Sequence, residues 1–259
     1  MLKPPGLDWI GPVMPNEFVE NMQLKDGSYI SIYNDLYHAA NGLNYISIYL
    51  SPNFNVKGII PIKAGTWQVR LGGKEIRTGE YHAWIERDDP RPLGAVGETK
   101  DVWNFPSFFT QKSNVDNTSV SSLACARHVI SVGNFDHERE IVNESSSQGP
   151  TRDKRLKPEI IAPGSNITAA KGFAGEKDRW ISMTGTSMSA PLVCGIAANM
   201  LSMDKSLTAA QILSIMVRTS KPLPSMNYAW KNDCGFGVIN PEGCMKETKV
   251  IHLKKELKP

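Results

Sequence analysis

"MTGTSMSAP", Met183 to Pro191, sets two serines and two threonines in front of a long apolar stretch, "PLVCGIAANMLSM". The polar residues read as the start of a helix. Met188, Leu192, Ile196 and Met200 recur near helical spacing, and small residues fill most of the other faces. This predicts a helix buried nearly all round. Thr186 or Ser187 then caps the helix, or Ser187 does chemistry. A serine in the first turn sits beside free N–H groups and a partial positive charge, which is part of what a nucleophile needs. Gly185 lets another backbone approach closely. Pro191 lies near the end of the first turn, where its missing N–H costs little.

Downstream, Thr208 and Gln211 form a capping-box arrangement ahead of Ile212, Leu213, Ile215 and Met216, a second helix. Upstream, "HVISVGNF" reads as a short apolar strand, and "SSSQGPTRDKRLKPEIIAPGSNITAA" as loop around Ile160 and Ile161. Strands mixed with buried helices predict an α/β layer. Residues 1–95 differ: "GSYISIYNDLY", "NYISIYLSPNFNV", "GTWQVRLGG" and "GEYHAWIERDD" are rich in β-branched and aromatic residues bounded by turn formers. In "GTWQVRLGG", Trp67, Val69 and Leu71 are expected on one face. This region predicts part of a β-sandwich or jelly roll. Residues 96–116 read as a connector, 117–250 as the α/β part, and 251–259, which contains "HLKKELKP", as a solvated charged tail.

The 259 residues suffice for one large domain or two smaller ones, and 41% hydrophobic with 21% charged residues suits a globular chain. A net charge of +3 with scattered basic residues gives no nucleic-acid footprint. No apolar run reaches membrane-spanning length, and the N-terminal stretch lacks the compact apolar core of a secretory signal. Of four cysteines, none forms a CxxC pair, which argues against zinc. Cys125 and Cys194 lie among apolar residues and read as buried thiols. Cys234 and Cys244 are a candidate disulfide. No acidic cluster has calcium-ligand spacing, so neither metal nor cofactor is expected.

"GTSMSAP" resembles the nucleophile motif of the subtilisin-like serine peptidases over seven consecutive residues. "SSSQGPTRDKRLKPEIIAPGSNI" resembles the segment before that nucleophile, with Lys154 where the family pattern has Gly and Glu159 where it has Asp. "SVSSLACARHVISVGNFD" and "GFGVIN" (Gly235 to Asn240) resemble the neighbouring strand and the closing motif. The resemblance covers residues 117–245. It implies the C-terminal half of a subtilisin-like parallel-sheet domain, and residues 1–95 then resemble the last part of a β-sandwich insert. It also implies a serine endopeptidase acting on peptides or proteins, with Ser187 as nucleophile and its own N–H as one oxyanion donor.

The family's Asp context, D-[ST]-G, and His context, H-G-T-H, are absent. None of the five histidines is followed by Gly. His82 and His128 sit in strand-like contexts and are weak candidates for the base. The family's oxyanion asparagine has no counterpart; Asn134 matches the strand after the insert. The chain therefore carries the serine half of a triad. Three arrangements stay open: part of a longer subtilase, a complement to a separate N-terminal half, or a non-catalytic peptide-binding pseudopeptidase. Half a parallel sheet would expose strand edges, which favours the first.

Overall fold

The computed structural model describes residues 1–39, 42–55, 58–73, 75–76, 79–85, 107–110, 117–173, 175, 178–224 and 226–256. The chain divides into two compact units, Met1–His82 and Ala83–Pro259. Most of the expected connector, 96–116, lies outside the described residues.

The first unit is all β. Its strands are β1 (Leu2–Lys3), β2 (Glu17–Gln23), β3 (Tyr29–Asp35), β4 (Tyr45–Ser51), β5 (Asn53–Asn55), β6 (Gly58–Ile60) and β7 (Gln68–Val69). β2, β3 and β4 form an antiparallel meander, β5 pairs with β6, and β1 pairs with β7. β3 has the two-residue period of a half-buried strand. Ile30 and Ile32 are buried with Leu2 and Leu24, while Tyr33 on the other face stacks on Phe18 and meets Tyr49 edge-on. The turn into β3 is set by Asp26, whose carboxylate accepts the Ser28 N–H at 3.0 Å, and by Gly27 at φ 91°.

The pattern of "GTWQVRLGG" survives only in part. Only Gln68 and Val69 pair, and Val69 and Leu71 are exposed. Their partner strand stops at Lys3 because Pro4 and Pro5 lack the N–H donors a ladder needs. Residues 79–85 of the expected strand "GEYHAWIERDD" form none, and 86–89 lie outside the described residues.

The second unit contains β8 (Val132–Asp136), β9 (Ile141–Val142), β10 (Ile160–Pro163), β11 (Ile167–Ala170) and β12 (Trp180–Met183). Its helices are α1 (Thr186–Met203), α2 (Ala209–Thr219) and α3 (Pro241–Glu256). β8 and β10 run parallel, with Ile160 opposite Val132, and β9 returns antiparallel to Phe135 and Asp136. On the other side of β10, Ile161 bridges to Val238. β10 is covered on both faces, as parallel strands are. Ile160 and Ala162 join the core of α1, α2 and α3, with Met200, Ile215 and Cys244; Ile161 joins Phe135, Met226 and Cys234 on the other face. β11 and β12 form an antiparallel ribbon that leads into α1. This is the expected α/β arrangement with parallel strands.

α1 begins as predicted, but it is not buried all round. Ser189, Val193, Ile196 and Met200 are buried against β8, β10 and α3, while Leu192, Cys194 and Leu201 are exposed. The buried stripe is therefore shifted one position from Met188 and Leu192. The capping box of α2 is in place: the Thr208 hydroxyl accepts the Gln211 N–H, and the Gln211 side chain accepts the Thr208 N–H at 2.9 Å. Such a cap stabilises by about 1 kcal/mol.

α3 replaces the expected solvated tail over residues 251–256. Asn240 caps it by accepting the Gly243 N–H at 3.1 Å, and Pro241 occupies the first helical position, which it suits. Lys255 Nζ reaches Asp204 Oδ2 at 2.7 Å, at the end of α1. Lys255, then Ser206, hold the Asp204 carboxyl well below the ordinary carboxylate range. A depressed carboxyl stabilises the fold above its unfolded value, about 3.9, and loses that contribution as the pH falls toward the folded value. The thermal midpoint followed by circular dichroism should therefore drop below about pH 4, and should drop less in Asp204→Asn. An equal acid response in the two proteins would remove this contact from the cause.

None of the described helices is long and apolar enough to cross a membrane.

Candidate active site

Ser187 is exposed in the first turn of α1. Three contacts fix that turn. The Gly185 N–H donates to Gly164 O at 2.8 Å, the Met188 N–H donates to Gly185 O at 3.0 Å, and the buried Ser189 hydroxyl donates to Ala162 O at 2.9 Å. The end of β10 thus holds both sides of Ser187. Gly164 has to be glycine, because a Cβ there would overlap Ser189 Oγ, Asn134 Oδ1 and Gly185 O. Gly185 has φ 154°, which side chains disfavour, and it caps α1 with no side chain. Among the described residues no acceptor takes the Thr186 or Ser187 N–H. Two donors and the positive end of a helix therefore sit beside a hydroxyl, an arrangement that stabilises a developing oxyanion.

Asn134, on β8, is fully buried against this turn. Its N–H donates to Ser146 Oγ at 3.0 Å, its Oδ1 takes the Ser165 hydroxyl at 3.4 Å, and its Nδ2 has no partner among the described residues. The roles of Asn134, Gly164 and Ser189 in setting the turn were not read from the sequence. Gly164 and Ser189 lay inside the quoted motifs, and a polar residue within an apolar strand was the signal for Asn134.

Among the described residues no base accompanies the serine. Among the described residues nothing hydrogen-bonds the Ser187 hydroxyl. His128 is exposed in a turn and not in a strand, because β8 starts only at Val132. His82 is exposed, outside any strand, in the first unit.

The two cysteines expected to be buried are not, and the candidate pair does not form. Cys194 is exposed and Cys125 partly so, while Cys234 and Cys244 are buried and free. Cys194 falls on the open side of α1. Cys234 packs with Met226 below β10, whereas Cys244 bonds Thr219 and joins the helical core. The two therefore belong to different clusters and do not pair. Burial, then Asp233, pushes the Cys234 thiol up to about 12, and burial raises Cys244. Neither thiol ionises near neutral pH, so neither is a nucleophile. No group of acidic, histidine or cysteine side chains suited to a metal occurs among the described residues.

Known proteases share sequence and fold with the chain. The chain is 27% identical over 192 residues to the serine protease AprX of Bacillus subtilis, covering 66% of this chain and 40% of AprX. It is 34% identical over 97 residues to bacillopeptidase F of the same organism, covering 37% of this chain and 7% of that one. Among solved structures, the CspB protease of Clostridium perfringens shares the fold with a TM-score of 0.59 at 19% identity, over 90% of this chain and 45% of CspB. The chain thus spans less than half the length of each of these proteins. The model of the subtilase family (Peptidase_S8) matches residues 95–237, more than half of the chain, with Ser187 inside the matched span. The chain belongs to the subtilase family.

Proposed function

We propose that this chain supplies the serine half of a subtilisin-like endopeptidase, which hydrolyses peptide bonds through an acyl-enzyme on Ser187. The observation that carries the reading is the turn around Ser187: an exposed hydroxyl beside two free N–H donors at a helix start, pinned by Gly164 and Ser189. Attack by Ser187 Oγ on the scissile carbonyl forms a tetrahedral oxyanion, which the Ser187 N–H is placed to stabilise. The Asp and the His of the triad, and an oxyanion donor beyond these backbone N–H groups, come from polypeptide other than the residues described. A serine needs that base to be reactive. The substrate is a peptide or protein in extended form. Residues 1–95 are read as part of a β-sandwich insert.

A second reading, a pseudopeptidase that binds peptides without cutting them, draws on the absence of any histidine bonded to Ser187 among the described residues.

Covalent labelling with a fluorophosphonate separates the two. Protein from its native source should carry one adduct, mapped by mass spectrometry to Ser187 and not to Ser189. A folded native protein that takes up no probe would exclude the peptidase and leave the binding module.

A further inference from the structure

The string "YISIY" occurs twice, at Tyr29–Tyr33 and Tyr45–Tyr49, and the two copies lie in the neighbouring strands β3 and β4. Their alternation gives the meander two unlike faces. The isoleucine face is the packed one: Ile30 and Ile32 are buried with Leu2 and Leu24, and Ile48 lies against them. The other face carries tyrosine and serine. The antiparallel register sets Ser31 opposite Tyr49 and Tyr33 opposite Ser47, so rings and hydroxyls alternate both along and across the strands. β2 adds Phe18 opposite Tyr33.

Tyrosine and serine are the residue types of recognition surfaces. Tyr offers a large, rigid ring with a polar tip at small entropic cost, and Ser offers adaptable hydrogen bonds. Single exposed apolar side chains are ordinary, but here the rings adjoin. Phe18, Tyr33 and Tyr49 stand in one row across the three strands, with ring centres 6.0 and 5.9 Å apart. Phe18 and Tyr49, at the two ends of the row, are both exposed.

Charge selects the occupant. The chain has 29 lysines and arginines, yet none lies in β2, β3 or β4. The same face does hold two exposed carboxylates. Glu20 accepts the Tyr33 hydroxyl at 2.7 Å, and Asp35 follows Tyr33 by two positions. Neither has a cation partner among the described residues. The faces of aromatic rings are negative, so rings and carboxylates attract one kind of ligand, a cation, and repel phosphates. Spacing selects further. Alternate side chains of an extended polypeptide leave one face about 6.5 Å apart, close to the spacing of the rings. From these features we infer that the row of Phe18, Tyr33 and Tyr49 docks an extended segment of another protein that carries lysine or arginine at alternate positions. Its cations lie over the rings and beside Glu20 and Asp35, and its backbone meets the serine hydroxyls. The surface lies wholly within the first unit and does not depend on the role of Ser187.

The probe is a fluorescent peptide alternating lysine with threonine, and its anisotropy is followed on the intact polypeptide. Ser187→Ala is the background throughout, so that the probe stays whole. The peptide should bind, and bind less as salt is raised. Binding should weaken about tenfold in Glu20→Gln with Asp35→Asn, and by a similar factor in Tyr49→Ala. All three residues are exposed, so the thermal midpoints should not move. Ser47→Lys places a cation of the protein's own between the rings and should abolish binding, which keeps the test intact if Tyr49→Ala folds poorly. The same peptide with glutamate in place of lysine should not bind. Equal binding of the two peptides overturns the inference, as does binding unchanged in the folded variants, or a Kd weaker than about 1 mM for the lysine peptide. Displacement of that peptide by the neutral sugar cellohexaose also overturns it, because the face would then be a glycan platform.

Discussion

Ser187→Ala should lower peptide-bond hydrolysis by the assembled enzyme by about 10⁶, the loss that follows removal of the serine from a Ser-His-Asp triad. The fold should be untouched. Ser187 is exposed, its hydroxyl bonds to nothing among the described residues, and alanine is a better helix former than serine. The urea midpoint should therefore stay the same or rise slightly. A residual rate about 10³ to 10⁴ above water is expected from binding and from the N–H donors that survive the substitution. Ser189→Ala makes the contrast. Its hydroxyl is buried and bonded to Ala162 O, so it should lower stability by about 1 kcal/mol and change hydrolysis far less. If the two substitutions cost the same activity, the assignment of the nucleophile is wrong.

Glu159→Ala should destabilise the second unit by about 3–5 kcal/mol, the range for breaking one side of a buried ion pair. Lys157 Nζ lies 2.7 Å from Glu159 Oε1 and 2.6 Å from Val129 O, with its side chain 3% exposed. The other carboxylate oxygen of Glu159 accepts the Ser131 N–H at 2.7 Å. Alanine would strand an ammonium out of water and orphan a backbone donor in the same step. Replacing both partners, Lys157→Met with Glu159→Leu, removes the stranded charge and should cost less than the single change. Urea unfolding of the three proteins measures this; a double variant weaker than Glu159→Ala would contradict the desolvation argument. The pair ties the start of β10 to the segment before β8, so it also sets the strand that holds Gly164.

Much of this was legible in the sequence because it depends on local rules. The start of α1 follows from "GTSMSAP", the α2 cap from Thr208 and Gln211, and β3 from the β-branched and aromatic residues of "GSYISIYNDLY" bounded by turn formers. What was misread depends on partners that periodicity does not see. Val69 and Leu71 alternate like a strand, but two prolines end the ladder that pairs Val69 with Leu2. Composition put Cys194 inside and left Cys244 undecided; the side of the helix decided the reverse. α3 was missed although "NPEG" carried its cap and first turn, because the lysines near its end read as solvated. Lys154 stands where the family pattern has Gly, and it adopts φ 64°, a left-handed backbone that disfavours a side chain. The pattern marked the conformation, and this chain keeps it with the wrong residue for it.

The pairing around β10 has a consequence for how quickly the molecule forms. Its neighbours are Val132, 28 positions earlier than Ile160, and Val238, 77 later than Ile161. The central strand therefore gains nothing from residues close to it in the chain. Both closures must be reached by diffusion of long loops before either rewards the other. α1 and α2 can form from local contacts in microseconds, whereas sheets built on distant pairings take milliseconds to seconds. During that interval the uncharged α1 waits with neither side covered. The slow step of folding is thus also the period in which this chain is most exposed to aggregation.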